Sequence, residues 1–284
     1  EGTTASDYHK AEQERQFSIH TSLLHAEWLD SRFNIIDTPG YLDFIAESRA
    51  ALKVSDLAVV VIHATHGIEI GTSKVWDFAE EFDLAKVVVV NGIDAENAQY
   101  EPILENLKTT FGARFFPINI PTNPGPGYSE MLDVIRKAKL TYKTDGSGKY
   151  DEAKATGEEG EQVDQLHTEL IELVAESDDT LLEKFFDEGI TEDELRGGLH
   201  KAFQSRTFIP VFFTSSETNV GVARLMDFIS KYASSPDDHM ETVAQNADGE
   251  EVTISLDDNE AAAFVFKTIN ESHIGELSFV KVLS

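Results

Sequence analysis

The chain has 284 residues, 41% of them hydrophobic, enough to fill one large core or two smaller ones. Its 23 basic and 52 acidic residues leave a formal charge of −29, which excludes binding nucleic acid by diffuse counterion release; such a contact needs a small local patch or a part outside this chain. With no cysteine, disulfides and thiolate metal sites are excluded, and the longest apolar runs, 57–62 and 87–90, fall far short of the about 20 residues of a membrane helix.

The opening 1–20 is polar and reads as a loop. Residues 23–28 and 32–37 read as adjacent strands joined by Leu29-Asp30-Ser31. From 42 to 54 the apolar positions Leu42, Ile45, Ala46 and Ala50 recur at spacings of three and four, which predicts a helix. Strand 57–63, helix 73–82, strand 86–90, helix 96–111 and strand 114–120 follow. This alternation is the pattern of a doubly wound α/β sheet. Between 121 and 160 Pro, Gly, Ser and Lys weaken the periodicity, so turns and short strands are expected. Helices are predicted at 161–176 and 180–187. Thr191-Glu192-Asp193-Glu194 has the spacing of a capping box and starts a third helix, reaching about 204. Strand 208–213, loop 214–221 and helix 222–232 restore the alternation. Residues 234–258 read as an acidic linker, and 262–269 with 277–283 as a strand pair that opens a β-barrel.

Three strand ends carry the chemistry. The run Phe33-Asn34-Ile35-Ile36 enters Asp37-Thr38-Pro39-Gly40, the run Val87-Val88-Val89-Val90 enters Asn91-Gly92-Ile93-Asp94, and the strand 208–213 enters Thr214-Ser215-Ser216. Polar groups at the carboxyl edge of a parallel sheet sit where open α/β sheets bind ligands. Asp37 suits a magnesium ion held through water, and Gly40, lacking a side chain, lets its N–H approach a γ-phosphate oxygen. Tyr41 follows; a phenol is neutral near pH 7, so it can hydrogen-bond a water but is a poor base. A carboxylate at Asp94 can accept both N–H groups of the guanine edge and the amide of Asn91 can reach the other edge, so that adenine leaves polar groups unpaired. The Ser215-Ser216 loop offers a backbone N–H to the guanine oxygen. An Asp-x-x-Gly turn alone more often just ends a strand; three such loops in order favour GTP with Mg²⁺. No Gly-x-x-x-x-Gly-Lys-Ser/Thr phosphate loop occurs. His9, His20, His25, His63 and His66 lack metal-site spacing and read as solvated or structural histidines. Trp28 and Trp76 read as packing residues.

Glu12-Gln13-Glu14-Arg15, FNIIDTPGYLDF, VVVVNGIDAEN and FFTSSETNVGV resemble the G domain of bacterial elongation factor G. Residues 2–8 and the tyrosine after Pro39-Gly40 look more like the second, paralogous group of such proteins. The resemblance implies a P-loop-NTPase-like G domain at 1–240 with an α-rich insert at about 121–207, a linker at 241–258, and the start of a domain II barrel at 259–284. It implies that the first strand and phosphate loop lie upstream of Glu1, so that this piece is inactive alone. It implies a cytoplasmic, monomeric GTPase acting on the ribosome in translocation or recycling, with no membrane partner. Ser18 and Asp37 would serve magnesium, Gly40 the γ-phosphate, Tyr41 the attacking water, and Asn91, Asp94, Ser215 and Ser216 the guanine. The acid run Glu158-Glu159-Gly160-Glu161 is most simply solvated; the charged insert would alternatively dock a ribosomal stalk protein. Three positions depart from the family: Tyr41 stands for its histidine, Gly92 for the lysine of the guanine motif, and Arg15-Gln16-Phe17-Ser18 for Arg-Gly-Ile-Thr. These departures favour a second reading, a degenerate non-hydrolysing G domain that binds ribosomes as a scaffold or protection factor.

Overall fold

The computed structural model describes residues 4–112, 114–187, 190–238, 240–271 and 275–284; residues 2 and 3 of the opening resemblance lie outside them. A short helix α1 (Lys10–Arg15) stands within what was expected to be a loop, and a hairpin of β1 (Ser22–Trp28) and β2 (Ser31–Asp37) follows. The hairpin pairs antiparallel from Ser22↔Asp37 to Trp28↔Ser31. Its two turn residues, Leu29 and Asp30, have φ of 45° and 61°, the conformation whose twist matches that of the flanking strands. Next come α2 (Ile45–Val54), β3 (Leu57–His63), α3 (Ile70–Glu81), β4 (Ala85–Asn91) and α4 (Glu101–Phe111). Helix α4 starts later than the sequence pattern suggested, because Pro102 falls in its first turn and Asn97 sits at φ 65°.

The apolar run 114–120 is two strands, β5 (Phe115–Pro117) and β6 (Asn119–Pro121). Beyond them lie β7 (Glu130–Asp133), β8 (Ala138–Tyr142), β9 (Tyr150–Lys154), α5 (Glu158–Ala175), α6 (Asp179–Asp187) and α7 (Glu192–Gln204), the last opened by the Thr191–Glu194 capping box. The insert is therefore mixed rather than only helical, since β6 to β9 form an antiparallel sheet in sequence order. The chain then makes β10 (Ile209–Thr214), α8 (Val222–Tyr232), β11 (Glu241–Gln245), β12 (Glu251–Ser255), β13 (Ala263–Glu271) and β14 (Gly275–Val282). Residues 241–255, expected as linker, form a hairpin instead. Asn246 Oδ1 accepts from the N–H groups of Asp248 and Glu250, and Gly249 takes φ 81° in that turn. Acidic composition hid a strand alternation that the turn completes.

Four parallel strands in the order β3-β4-β10-β5 make the central sheet. Val88, Val90, Val211 and Phe213 pack on one face with Trp76 of α3 and Leu107 of α4. Val87, Val89 and Phe212 pack on the other with Leu170 of α5, Leu199 of α7 and Phe228 of α8. Helices on both faces explain why β4 is an unbroken apolar run. Trp76 stacks on Phe111 at 4.1 Å between centroids. Where the chain leaves this sheet for the insert, the side chain of fully buried Asn119 imitates a strand: its Oδ1 accepts from Phe213 N–H at 2.8 Å and its Nδ2 donates to Phe213 O at 2.9 Å.

The hairpin β1–β2 is a separate two-stranded sheet. Its tip is pinned to α8, where Trp28 Nε1 donates to Asp227 Oδ1 at 2.8 Å and the Ser31 and Ser230 hydroxyls lie 2.9 Å apart. Among the described residues strand β3 is paired on one side only, and its Val59 and Val61 are 42% and 61% exposed. Their register partners Val87 and Val89 are covered by the α8 side of the core, so that face is bare at β3 alone.

One buried ion cluster joins α8 to the insert. Arg224 Nε donates to Asp133 Oδ2 at 2.6 Å and Nη1 to Asp227 Oδ2 at 2.5 Å. Burial opposes the Arg224 charge, but Asp133 and Asp227 outweigh it and hold the guanidinium well above its usual range. Asp133→Ala, which strands Arg224 as a buried charge with one partner fewer, is expected to lower stability by about 3–5 kcal/mol; chemical denaturation of the variant against the parent chain measures it.

Candidate functional site

Register brings the loops after β3, β4 and β10 together: His63 is opposite Asn91, and Asn91 opposite Thr214. The Asn91 amide then stitches them. Its Oδ1 accepts from Ser216 N–H at 2.8 Å and the Thr214 hydroxyl at 3.2 Å, and its Nδ2 donates to Ser216 Oγ at 2.9 Å. Ala64 N–H donates to Asn91 O at 2.8 Å and Ile93 N–H to Thr214 O at 3.1 Å. In this arrangement Asn91 organises the rim, and the Ser216 N–H is already spent on it.

Ile93 is fully buried and its carbonyl accepts from Gly125 N–H at 2.7 Å, which anchors the loop that carries Asp94. The half-buried Asp94 carboxylate accepts no hydrogen bond among the described residues. Burial first, then Tyr142 and Asp94, push the Tyr128 phenol well above its usual range. Ser215 differs from its neighbour. It is fully buried, its Oγ accepts from Thr218 N–H and Oγ1 at 3.2 and 2.8 Å, and its backbone pairs with Val220. Ser215 thus holds the loop's shape while Ser216 is exposed at the rim.

The other group lies on the hairpin side. Asp37 ends β2 in the two-stranded sheet, not in the parallel one as its strand-end pattern suggested; a hairpin strand and a parallel strand end alike in sequence. The Asp37 carboxylate has no hydrogen-bond partner among the described residues. The loop is held by the Ser48 hydroxyl, which donates to Pro39 O at 3.2 Å. A Cβ built at Gly40 meets nothing within 4 Å, while Gly40 O lies 3.4 Å from one built at Gly71 in α3. No neighbour requires glycine at 40, and the space it leaves suits the close approach of a ligand atom. Tyr41 is 56% exposed and rests on Phe17, with centroids 4.7 Å apart.

Ser18 belongs to the polar opening segment, where the structure finds order that the sequence pattern does not announce. Asp7 accepts from the hydroxyls of Thr4 and Ser18, both at 2.8 Å. Fully buried Glu12 accepts from the N–H groups of Ile19 and His20 at 2.9 Å and of His9 at 3.2 Å. Burial raises the Glu12 pKa, but those three N–H groups outweigh it and hold the carboxyl below its usual range. The spacing His9-x-x-Glu12, that of a capping box, was the available signal. As a magnesium site the residues fit in part: Asp37 offers an unpartnered hard oxygen, whereas the Ser18 hydroxyl is turned to Asp7. Among the described residues no three His, Cys, Asp or Glu side chains converge to hold a metal. The two groups, Asn91-Asp94-Ser216 and Asp37-Gly40-Tyr41, share no direct hydrogen bond among the described residues. A cavity of about 520 Å³ lined by Tyr100, Glu101, Pro121 and Glu159 is distinct from both.

A doubly wound parallel sheet with polar loops at its carboxyl rim defines a nucleotide-binding α/β domain. Residues 1–235 match the family described as the elongation factor Tu GTP binding domain, and the chain belongs to that GTPase family. It is also similar to a protein of Thermus thermophilus of known crystal structure, with 28% identity and a TM-score of 0.85 over 99% of this chain. This chain spans 40% of that protein's length. Among the described residues no helix is long and apolar enough to cross a membrane.

Glu12→Ala is expected to release the segment around α1, seen as faster tryptic cleavage after Arg15 with the core left intact. Because the folded-state pKa of Glu12 is depressed, its contribution is full above the usual carboxylate range and is lost as pH falls through the folded value. The cleavage rate of the parent chain, read with an acid-active protease, should therefore rise on acidification toward that of the variant.

Proposed function

We propose that this chain is the nucleotide-binding part of an elongation-factor-G-like translational GTPase of the second, paralogous group, acting on the ribosome in translocation or recycling. The observation that carries the reading is the rim built by Asn91, which aligns the loops after β4 and β10 and leaves the Asp94 carboxylate without a protein partner. That carboxylate matches the paired N–H donors of a guanine edge. Asn91 and Ser216 wall the base, Gly40 admits a γ-phosphate oxygen, and Asp37 would hold Mg²⁺, with the Ser18 hydroxyl as a second ligand if freed from Asp7. The bound metal supplies charge neutralisation at the phosphates. Tyr41 orients the water after its ring lifts from Phe17. The edges of β2 and β3 that have no strand partner among the described residues, with Val59 and Val61 bare beside β3, suit a strand that carries a phosphate loop. The acidic insert suits a ribosomal stalk protein, and the protein works in the cytoplasm as a monomer. A non-hydrolysing, ribosome-bound scaffold is the second reading, favoured by Tyr41 resting on Phe17 and by glycine at 92.

Multiple-turnover GTP hydrolysis by the full-length protein, with and without ribosomes, separates the two. Ribosome-stimulated turnover is expected, and Asp94→Ala should weaken GTP binding about tenfold or more and remove the preference over ATP. Absence of stimulation together with equal guanine and adenine affinity in the parent protein would overturn the GTPase reading and favour the scaffold.

A further inference from the structure

Gly92 offers no side chain to the rim beside Asn91, and the structure shows what stands there instead. Gly92 has φ 81°, and a Cβ built on it would lie 3.0 Å from His63 Nε2 and 3.4 Å from His63 Cε1. His63 closes β3 directly opposite Asn91. Its ring thus fills the seat that a side chain at 92 would take, beside the amide that organises the pocket.

The ring is held in one orientation. Thr65 N–H donates to His63 Nδ1 at 3.3 Å, and the Thr65 hydroxyl lies 2.9 Å from the same atom. Since Nδ1 accepts, the neutral imidazole carries its proton on Nε2. His66 stacks on His63 with centroids 4.6 Å apart and planes at 29°, covering one face. What remains is the Nε2–H edge over Gly92, which has no hydrogen-bond partner among the described residues and is exposed at the rim.

We propose that His63 is a nucleoside-contacting residue: its Nε2–H donates to an acceptor of a guanosine seated against Asn91 and Asp94, supplying the contact that glycine at 92 cannot. His66 and Thr65 are positioning residues for that ring. The inference rests on the guanine reading given above and adds to it a binding residue from a third strand. It also makes positions 63 and 92 interdependent, because a Cβ at 92 would require the imidazole to give way by a few tenths of an ångström.

Guanosine and adenosine are titrated into the chain and followed by the imidazole proton resonances of His63. For the parent chain those resonances are expected to move with guanosine at concentrations where adenosine leaves them still. One net hydrogen bond corresponds to about threefold to tenfold in affinity. His63→Ala should therefore weaken guanosine binding by about that factor. His63→Gln, whose Nε2 can donate from a similar place, should retain most of it. Asp94→Ala, followed through backbone resonances of the rim, serves as the control for the pocket. If His63→Ala binds guanosine as the parent does while Asp94→Ala loses the preference over adenosine, the inference about His63 is overturned and the guanine pocket stands. If the parent, or Asp94→Ala against it, shows no dependence on guanine, the pocket reading fails and the His63 assignment falls with it.

Discussion

The parallel pairing of β4 with β10 is the constraint on which the rest depends. Asn91 and Thr214 are 123 positions apart, and parallel neighbours need a crossover because no hairpin can join them. Here the crossover is α4, β5 and the whole insert. Once Val88 to Asn91 lie along Val211 to Thr214, backbone geometry alone places the loop carrying Asp94 beside the loop carrying Ser216. The Asn91 amide then locks an arrangement that the ladder has created. Asn119 performs the same service at the other edge of β10, extending the ladder past β5 with a side chain in place of a backbone.

So strongly acidic a chain still commits scarce cations to its interior. Arg224 is almost wholly buried between Asp133 and Asp227, and Lys86, 3% exposed near the start of β4, donates to Leu84 O at 3.0 Å and pairs with Glu80 at 2.9 Å. Such pairs return little net stability, since desolvation offsets attraction, but they penalise any packing that separates them. Arg224 adds a polar tie between helix α8, strand β7 of the insert and, through Asp227, the Trp28 tip of the hairpin. The hairpin is therefore fastened at its tip, while among the described residues no further strand pairs with it.

Its other end is fastened too. Thr21 N–H donates to Glu47 of α2 at 2.8 Å, and Lys267 of β13 reaches both Thr21 O, at 2.6 Å, and Glu47, at 3.2 Å. Burial raises the Glu47 pKa, but Thr21 and Lys267 prevail and depress it. The segment before the hairpin, the helix after it and the first strand of the terminal sheet meet at that carboxylate.

Sequence by itself determined the parallel core, the hairpin, the three polar strand ends and the Thr191 cap, because each is written in local periodicity, β-branched runs or short capping spacings. Only the tertiary structure decided the rest. The run 114–120 splits because two different sheets compete for its hydrogen bonds, and 241–255 folds as a hairpin that charge concealed. Residues 4–20 become ordered because Asp7 and Glu12 gather donors a few positions away. Asp37 and Asp94 look alike as acids at the end of apolar runs, yet Asp37 closes a hairpin strand while Asp94 lies in the loop after a parallel strand, a difference set by which partner supplies the ladder. Nor does any local pattern link His63 to Gly92, which become neighbours only when β3 and β4 align.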